Sequence, residues 1–340
     1  MARRQPIDTV RWEVDDRPPT WWTRSYVRAM WWRRDDRAFS GAGRTLRAAR
    51  RRQRTGDHPP TRWTRLVRDV TASRLPLGDG GTPGPVVWTV RPRWRRPVVR
   101  VVHLHGGGYV HPLTVDYWRL VRALASVPAE VVVPAYPLAP DHHADEVVPW
   151  LAGLAADAPA RTSVGALPLV LSGDSAGGAL ALFVARELAD RRPACVVALS
   201  PWLDPRLADP EVDALDPSDP VLEESGLRAA ARWWAGSRAV EDPRVDPLRG
   251  GLTDLPPVHL WIGDRDLLRP AVDELARRAR VEGAALHVRE VSAMFHVWMT
   301  RAVPEGRRTR RDLVALLRRV AADTGRPVPG VLSRRRRRTA

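Results

Sequence analysis

The stretch "LPLVLSGDSAGGALALFVARELADR", residues 167–191, constrains the fold more than any other part of the chain. A short apolar run of strand character passes into an apolar helix through six residues, Gly173 to Gly178, that include three glycines. There is no room for a hairpin. A strand that leaves directly into a helix belongs to a βαβ crossover, and hence to a parallel sheet covered by helices. The turn has the spacing G-x-S-x-G at Gly173, Ser175 and Gly177, which lifts a serine above the carboxyl end of its strand.

The rest of the chain repeats this alternation. "TRLVRDVTAS" and "PVVWTVRP" read as strands separated by the turn "LGDGGTPG", and "RPVVRVVHLH" as a third. "VDYWRLVRALAS" has helical spacing, with Tyr117, Leu120, Val121 and Leu124 on one face. "EVVVPAY" is a strand, and "DEVVPWLAGLAADA" a helix that Pro149 should bend or restart. "ACVVALSPW" is a strand. The alternation breaks over an Asp- and Pro-rich stretch from Leu203 to Pro257, which contains one helix candidate, "VLEESGLRAAARWWAG". It resumes with "PVHLWIGD", "PAVDELARRARVEG", "ALHVREV" and "RRDLVALLRRVAAD" as strand, helix, strand and helix. The expected fold is a mostly parallel sheet with helices on both faces. The irregular stretch is expected to be an insertion above the carboxyl ends of the strands. In residues 1–60, "WWTRSYVRAMWWRR" places Trp22, Tyr26 and Met30 four apart on one helix face. That helix packs over the body of the protein or, alternatively, lies in a lipid interface.

Serine is a weak nucleophile without a base. In a sheet of this kind the order along the chain is Ser, then Asp or Glu, then His. Three histidines follow Ser175: His259, His287 and His296. The first two fall inside strand candidates. His296, in "SAMFHVW", falls in the loop after one, and is the expected base. The carboxylate should come from the loop after "PVHLWIGD", where Asp266 is preferred and Asp264 is second. A second glycine cluster, "HLHGGGYV", follows the third strand. Three consecutive glycines are costly to order. They make sense where bare backbone N–H groups must reach an oxyanion, because one such donor is worth about 2.7–4 kcal/mol in the transition state. The expected donors are Gly107, Gly108 and Ala176, with His105, Gly106 and Asp174 supporting the loop.

Other features exclude more than they assign. The formal net charge is +16 and all 55 basic residues are arginines, a pattern that GC-rich coding alone produces. No signature of a nucleic-acid-binding module is present, and no nucleic-acid partner is expected. The single cysteine, Cys195, rules out an internal disulfide and reads as a buried strand position. "DHHADE" (Asp141 to Glu146) resembles a metal cluster, but its adjacent histidines project in different directions, so no metal or other cofactor is expected. Asp35 and Asp36 sit among arginines that they would neutralise. No apolar run is long enough to span a membrane and no signal sequence is evident, so a cytoplasmic location is expected. Weak peripheral contact with a membrane through the Arg-rich ends is an additional option.

"HLHGGGYV", "YPLAPDH", "GDSAGG", "SPWLD", "DPRVDPLRGGLTDLPPVHLWIGDRDLL" and "MFHVWM" together resemble the hormone-sensitive-lipase-like family of α/β-hydrolases, from Thr61 to about Ala322 and in the family's order. Pro137 and Asp141 stand where the family usually has Arg and Glu. The resemblance implies the α/β-hydrolase fold, with Ser175 as nucleophile, Asp266 as orienting acid, His296 as base, and an oxyanion hole from the glycine run and Ala176. It implies a helical cap from residues 1–60 and 205–256, over a core formed by 61–204 and 257–325, with 326–340 a basic disordered tail. The implied activity is hydrolysis of short- to medium-chain acyl esters, a small-molecule substrate. The alternatives are an N-acetyl or steryl-acetyl hydrolase, or a catalytically silent ligand-binding protein.

Overall fold

A computed structural model describes residues 9–78, 84–157, 161–162, 165–188 and 191–323. The basic tail expected at 326–340 lies outside the described residues. The elements in chain order begin with strand β1 (Val10–Asp15), helix α1 (Trp21–Arg33), a short 3₁₀ turn (Asp35–Phe39), α2 (Ala42–Thr55) and α3 (Arg62–Val67). Then come β2 (Arg68–Arg74), β3 (Val86–Pro92), β4 (Val99–Leu104), α4 (Tyr117–Leu124), β5 (Ala129–Pro134) and α5 (Ala144–Ala156). Two-residue strands β6 (Arg161–Thr162) and β7 (Gly165–Ala166) form a small hairpin, followed by β8 (Leu169–Asp174), α6 (Ala176–Glu187) and β9 (Cys195–Leu199). The remainder is α7 (Glu211–Leu215), α8 (Glu224–Ala235), β10 (Val258–Gly263), α9 (Pro270–Glu282), β11 (Leu286–Val291) and α10 (Pro304–Asp323).

Nine strands form one sheet in the order β1-β11-β10-β9-β8-β4-β5-β3-β2. β3 runs antiparallel to β5 and to β2, and the other pairs are parallel. The central strands β4, β5, β8 and β9 are buried at every position. That is why they read as unbroken apolar runs and not as alternating ones. One core layer contains α5, α6 and α9, and the other α4 and α10. Cys195 is buried in β9, which pushes its thiol pKa up to about 12 and leaves it inert.

Three local expectations need correction. The segment at 64–73 is not strand throughout. The Thr61 hydroxyl accepts from the Thr64 N–H (3.2 Å), and this cap starts a helix that runs to Val67 before β2 begins. Pro149 does not interrupt α5, because Val147, Val148, Leu151 and Ala152 hold the helix against the core on both sides of it. The first sixty residues are not purely helical. Val10–Asp15 adds a ninth strand parallel to β11, with Trp12 opposite Val288. Trp12 Nε1 donates to Glu290 (3.0 Å) across that pair.

The N-terminal helices are fixed to the body by polar contacts. The buried Glu305 carboxylate, at the start of α10, accepts from the Thr20 backbone N–H (2.7 Å) and from the Thr23 hydroxyl. Gly41 N donates to Ser225 Oγ (2.9 Å), and α8 approaches so closely that a side chain at Gly226 would collide with the Phe39 carbonyl. Asp35 and Asp36 pair with Arg33 (3.0 Å) and Arg34 (3.4 Å). Among the described residues no helix is long and apolar enough to cross a membrane.

Candidate active site

β8 ends at Asp174, and Ser175 follows with φ 52° and ψ −124° before α6 begins. A positive φ at a non-glycine residue costs on the order of 1–3 kcal/mol, so the surroundings must enforce it. They do so through backbone contacts. Ser175 N donates to Leu199 O on β9 (2.9 Å), and Ser175 O accepts from Trp202 N (2.9 Å). The glycines make the tight turn possible. A side chain at Gly173 would strike the Gly177 carbonyl, and one at Gly177 would strike the Leu104 carbonyl.

His296 lies in the turn after β11, where Val297 N donates to Ser200 Oγ (3.2 Å). Its Nδ1 is 3.0 Å from Asp266 Oδ2 and 3.1 Å from Asp266 Oδ1. Asp266 is fully buried and also accepts from Leu268 N (3.0 Å). Asp264 is engaged elsewhere, accepting from Ala293 N (2.6 Å). The structure therefore brings Asp266, and not Asp264, to the histidine. Burial opposes protonation of His296, but the charge of Asp266, its hydrogen bond, and the charges of Asp219 and Asp174 outweigh it and hold the pKa above the ordinary histidine value. His259 and His287 pair across β10 and β11, with rings stacked 4.8 Å apart, away from this site.

Ser175 and His296 line one cavity of about 620 Å³, together with Gly106 and Gly107. Gly108 and Ala176 do not line it, although both are buried beside it. Gly107 (φ +117°) and Gly108 (φ +60°) adopt conformations that favour glycine. The Gly107 carbonyl closes the turn by accepting from Val110 N (3.1 Å) and His111 N (2.9 Å). Among the described residues, the N–H groups of Gly107, Gly108 and Ala176 donate to no protein acceptor, whereas Gly106 N donates to Tyr117 Oη (2.9 Å) and Asp174 Oδ1 (3.2 Å). Asp174 Oδ2 accepts from Tyr117 Oη (2.7 Å), and burial pushes the Asp174 pKa up to about 7. His105 is fully buried, stacked on Tyr136 at 4.3 Å, with Nδ1 2.7 Å from Gly106 O.

Two residues escaped the sequence reading. Tyr117 was legible only as an apolar helix position, yet its hydroxyl joins Asp174 to the glycine loop. Asp219, in the Asp- and Pro-rich stretch, is fully buried. Its Oδ2 accepts from Leu267 N (3.0 Å), next to Asp266, and its Oδ1 accepts from Val221 N (2.8 Å) and Leu222 N (3.1 Å), which belong to the cavity wall. Burial and the charge of Asp266 push its pKa up to about 7. A buried aspartate before proline has no short-range signature of such a role. Trp233 and Trp234, near the end of α8, do not line the cavity. Trp234 is buried, with its ring stacked 4.3 Å from that of Tyr109.

The "DHHADE" segment has other partners: Asp141 pairs with Arg50 (2.8 Å to Nη2), His142 with Glu146 (2.8 Å), and His143 Nδ1 with the Trp233 carbonyl (3.0 Å). Among the described residues, no three His, Cys, Asp or Glu side chains gather as metal ligands would.

A strained serine at a strand-to-helix turn, opening into the same cavity as a carboxylate-bound histidine, on a nine-stranded and mostly parallel sheet, defines an α/β-hydrolase. The chain belongs to the alpha/beta hydrolase fold family, whose match spans residues 101–300. It is 34% identical over 204 residues to a triacylglycerol lipase of Mycobacterium tuberculosis, a match covering 58% of this chain and 42% of the lipase. It is 28% identical over 260 residues to an acetyl-hydrolase of Streptomyces hygroscopicus, covering 71% of this chain and 85% of that protein. Among solved structures it resembles a putative esterase from Staphylococcus aureus (TM-score 0.70, 23% identity, 84% of this chain and 95% of that one). It also resembles a hormone-sensitive lipase from a metagenome library (TM-score 0.71, 20% identity, 90% and 99%).

Proposed function

We propose that the protein is a serine carboxylesterase that hydrolyses acyl esters of small molecules through an acyl-enzyme. The observation that carries this reading is the shared cavity of Ser175 and the Asp266-bound His296, beside glycine N–H groups that have no protein acceptor. His296 takes the Ser175 proton as the oxygen attacks the ester carbonyl, and Asp266 orients the ring and stabilises its charged form. The oxyanion is held by Gly107, Gly108 and Ala176, with Asp174 and Tyr117 fixing the glycine loop. The tetrahedral intermediate collapses as His296 protonates the departing alcohol. Water then attacks the acyl-enzyme with His296 again as base, returning the serine and releasing the acid.

A cap over this site is part of the same reading: residues 1–60 and 205–256 supply Met30, Phe39, Val221 and Leu222 to the cavity wall. The acetyl-hydrolase relative favours a short acyl group. The test is Ser175→Ala against p-nitrophenyl esters from acetate to palmitate. Turnover of the preferred ester should fall by about 10⁴–10⁶-fold, and a folded variant with undiminished turnover would overturn the assignment.

A further inference from the structure

The cavity that holds Ser175 and His296 is also walled by guanidinium groups. Arg33, Arg34, Arg37, Arg51, Arg52 and Arg301 line it, against the carboxylates Asp35, Asp116 and Asp174. Those carboxylates are committed. Asp35 pairs with Arg33 (3.0 Å), Asp116 with Arg301 (2.6 Å), and Asp174 is buried under Tyr117 and Gly106. Arg34 turns to Asp36, outside the wall (3.4 Å). Among the described residues, Arg37, Arg51 and Arg52 have no carboxylate oxygen within 4.0 Å.

These three come from two adjoining elements, the 3₁₀ turn at Asp35–Phe39 and α2. Arg52 is the most telling. Burial and the neighbouring charge of Arg51 both lower its pKa, and Asp35 offsets this only in part. His111, also on the wall, faces the same field: burial and the charge of Arg52 push its pKa down to about 3, so it stays neutral and adds no positive charge. Arg37, Arg51 and Arg52 are exposed on the cavity wall, and guanidinium groups that stand close together without a counter-ion are stabilised when an anion arrives. Its fork of donors suits a carboxylate or a phosphate.

We propose that the site selects esters that carry an anionic group, a carboxylate or a phosphate, held by Arg37, Arg51 and Arg52 while Ser175 attacks the ester carbonyl. This rests on the serine-esterase reading. The anionic group takes no part in bond making or breaking; it lowers KM and positions the ester.

The test uses matched ester pairs. For a carboxylate on the acyl side, the 4-nitrophenyl monoester of glutaric acid is compared with 4-nitrophenyl pentanoate. For the alcohol side, 4-acetoxybenzoate and 4-acetoxyphenyl phosphate are each compared with phenyl acetate. At least one anionic member should exceed its neutral match by about tenfold or more in kcat/KM at low salt, with most of the gain in KM. That advantage should shrink in 0.5 M NaCl, where the Debye length is only about 4 Å. The anionic-to-neutral ratio should fall toward one in Arg51→Ala/Arg52→Ala and drop in Arg37→Ala. Arg277→Ala, the same single charge change as Arg37→Ala but at a site on α9 paired with Glu274 and outside the cavity wall, should leave the ratio where it was. Thermal unfolding of each variant separates lost binding from lost fold. Neutral esters hydrolysed with no anionic member preferred would overturn this inference and leave the esterase standing. A preference that survives the arginine variants, or that falls equally in Arg277→Ala, would also overturn it. Hydrolysis of no ester at all would overturn the esterase reading on which it rests.

Discussion

Gly107→Ala is the substitution with the most to say about how the glycine loop works. Gly107 has φ +117°, a region that alanine enters only with strain. An added Cβ would lie 2.6 Å from the His111 carbonyl oxygen and 3.0 Å from His111 Cβ. The first of these is backbone, and it cannot swing aside, because His111 N is itself bonded to Gly107 O (2.9 Å). The turn must therefore open. Opening costs on the order of 1–3 kcal/mol in backbone strain, and it also displaces the N–H groups of Gly107 and Gly108. Losing one oxyanion donor costs about 2.7–4 kcal/mol, or roughly 10²–10³ in kcat. The measurement is kcat and KM on p-nitrophenyl acetate, with urea unfolding alongside. The expected result is a fall of that size in kcat, a small change in KM and a modest loss of stability. Gly153→Ala is the control. It lies exposed within α5, where an added Cβ meets nothing within 4 Å, so stability should rise by about 0.5–1 kcal/mol with activity unchanged. A folded Gly107→Ala protein with kcat within about threefold of the parent would refute the oxyanion assignment.

The acid of the triad is tested by a pair of substitutions. Asp266→Ala should lower kcat by about 10⁴-fold, whereas Asp264→Ala, which removes only the acceptor for Ala293 N, should cost about 1 kcal/mol of stability and little activity. The pH profile follows from the sign of the His296 shift. Its raised pKa keeps the base protonated to higher pH than an ordinary histidine, so kcat/KM should rise through a pKa above 6.5 and be lost below it. Asp219→Asn removes a negative charge that raises the His296 pKa, so the acid limb should move to lower pH; a limb that stays in place would deny Asp219 any electrostatic hold on the base.

The central sheet was legible because its central strands are buried on both faces and α4 carries a clear apolar stripe. The turn at Ser175 was legible because Gly173 and Gly177 fill positions where any side chain would collide with backbone. His296 stood out by elimination, as the histidine after Ser175 that falls outside a strand candidate, whereas Asp266 was only preferred over Asp264, since both follow the same strand. What was missed depended on contacts distant in sequence or on weak local signals. β1 does alternate, Val10, Trp12 and Val14 against Arg11, Glu13 and Asp15, but six residues at a sheet edge are overshadowed by the tryptophan-rich helix after them. The helix at 62–67 turned on one threonine cap, and the unbroken α5 on packing strong enough to carry a proline. Tyr117 and Asp219 were not identifiable because their roles arise from groups 57 and 48 positions away, Asp174 and Leu267.

The central claim is that Ser175 is the nucleophile of an ester hydrolase, and labelling with a fluorophosphonate tests it most directly. The account predicts one equivalent bound per chain, mapped by mass spectrometry to Ser175, with esterase activity lost in proportion and labelling slowed by substrate. Full labelling of Ser175 with activity intact, or activity lost with the label on another residue, would contradict it.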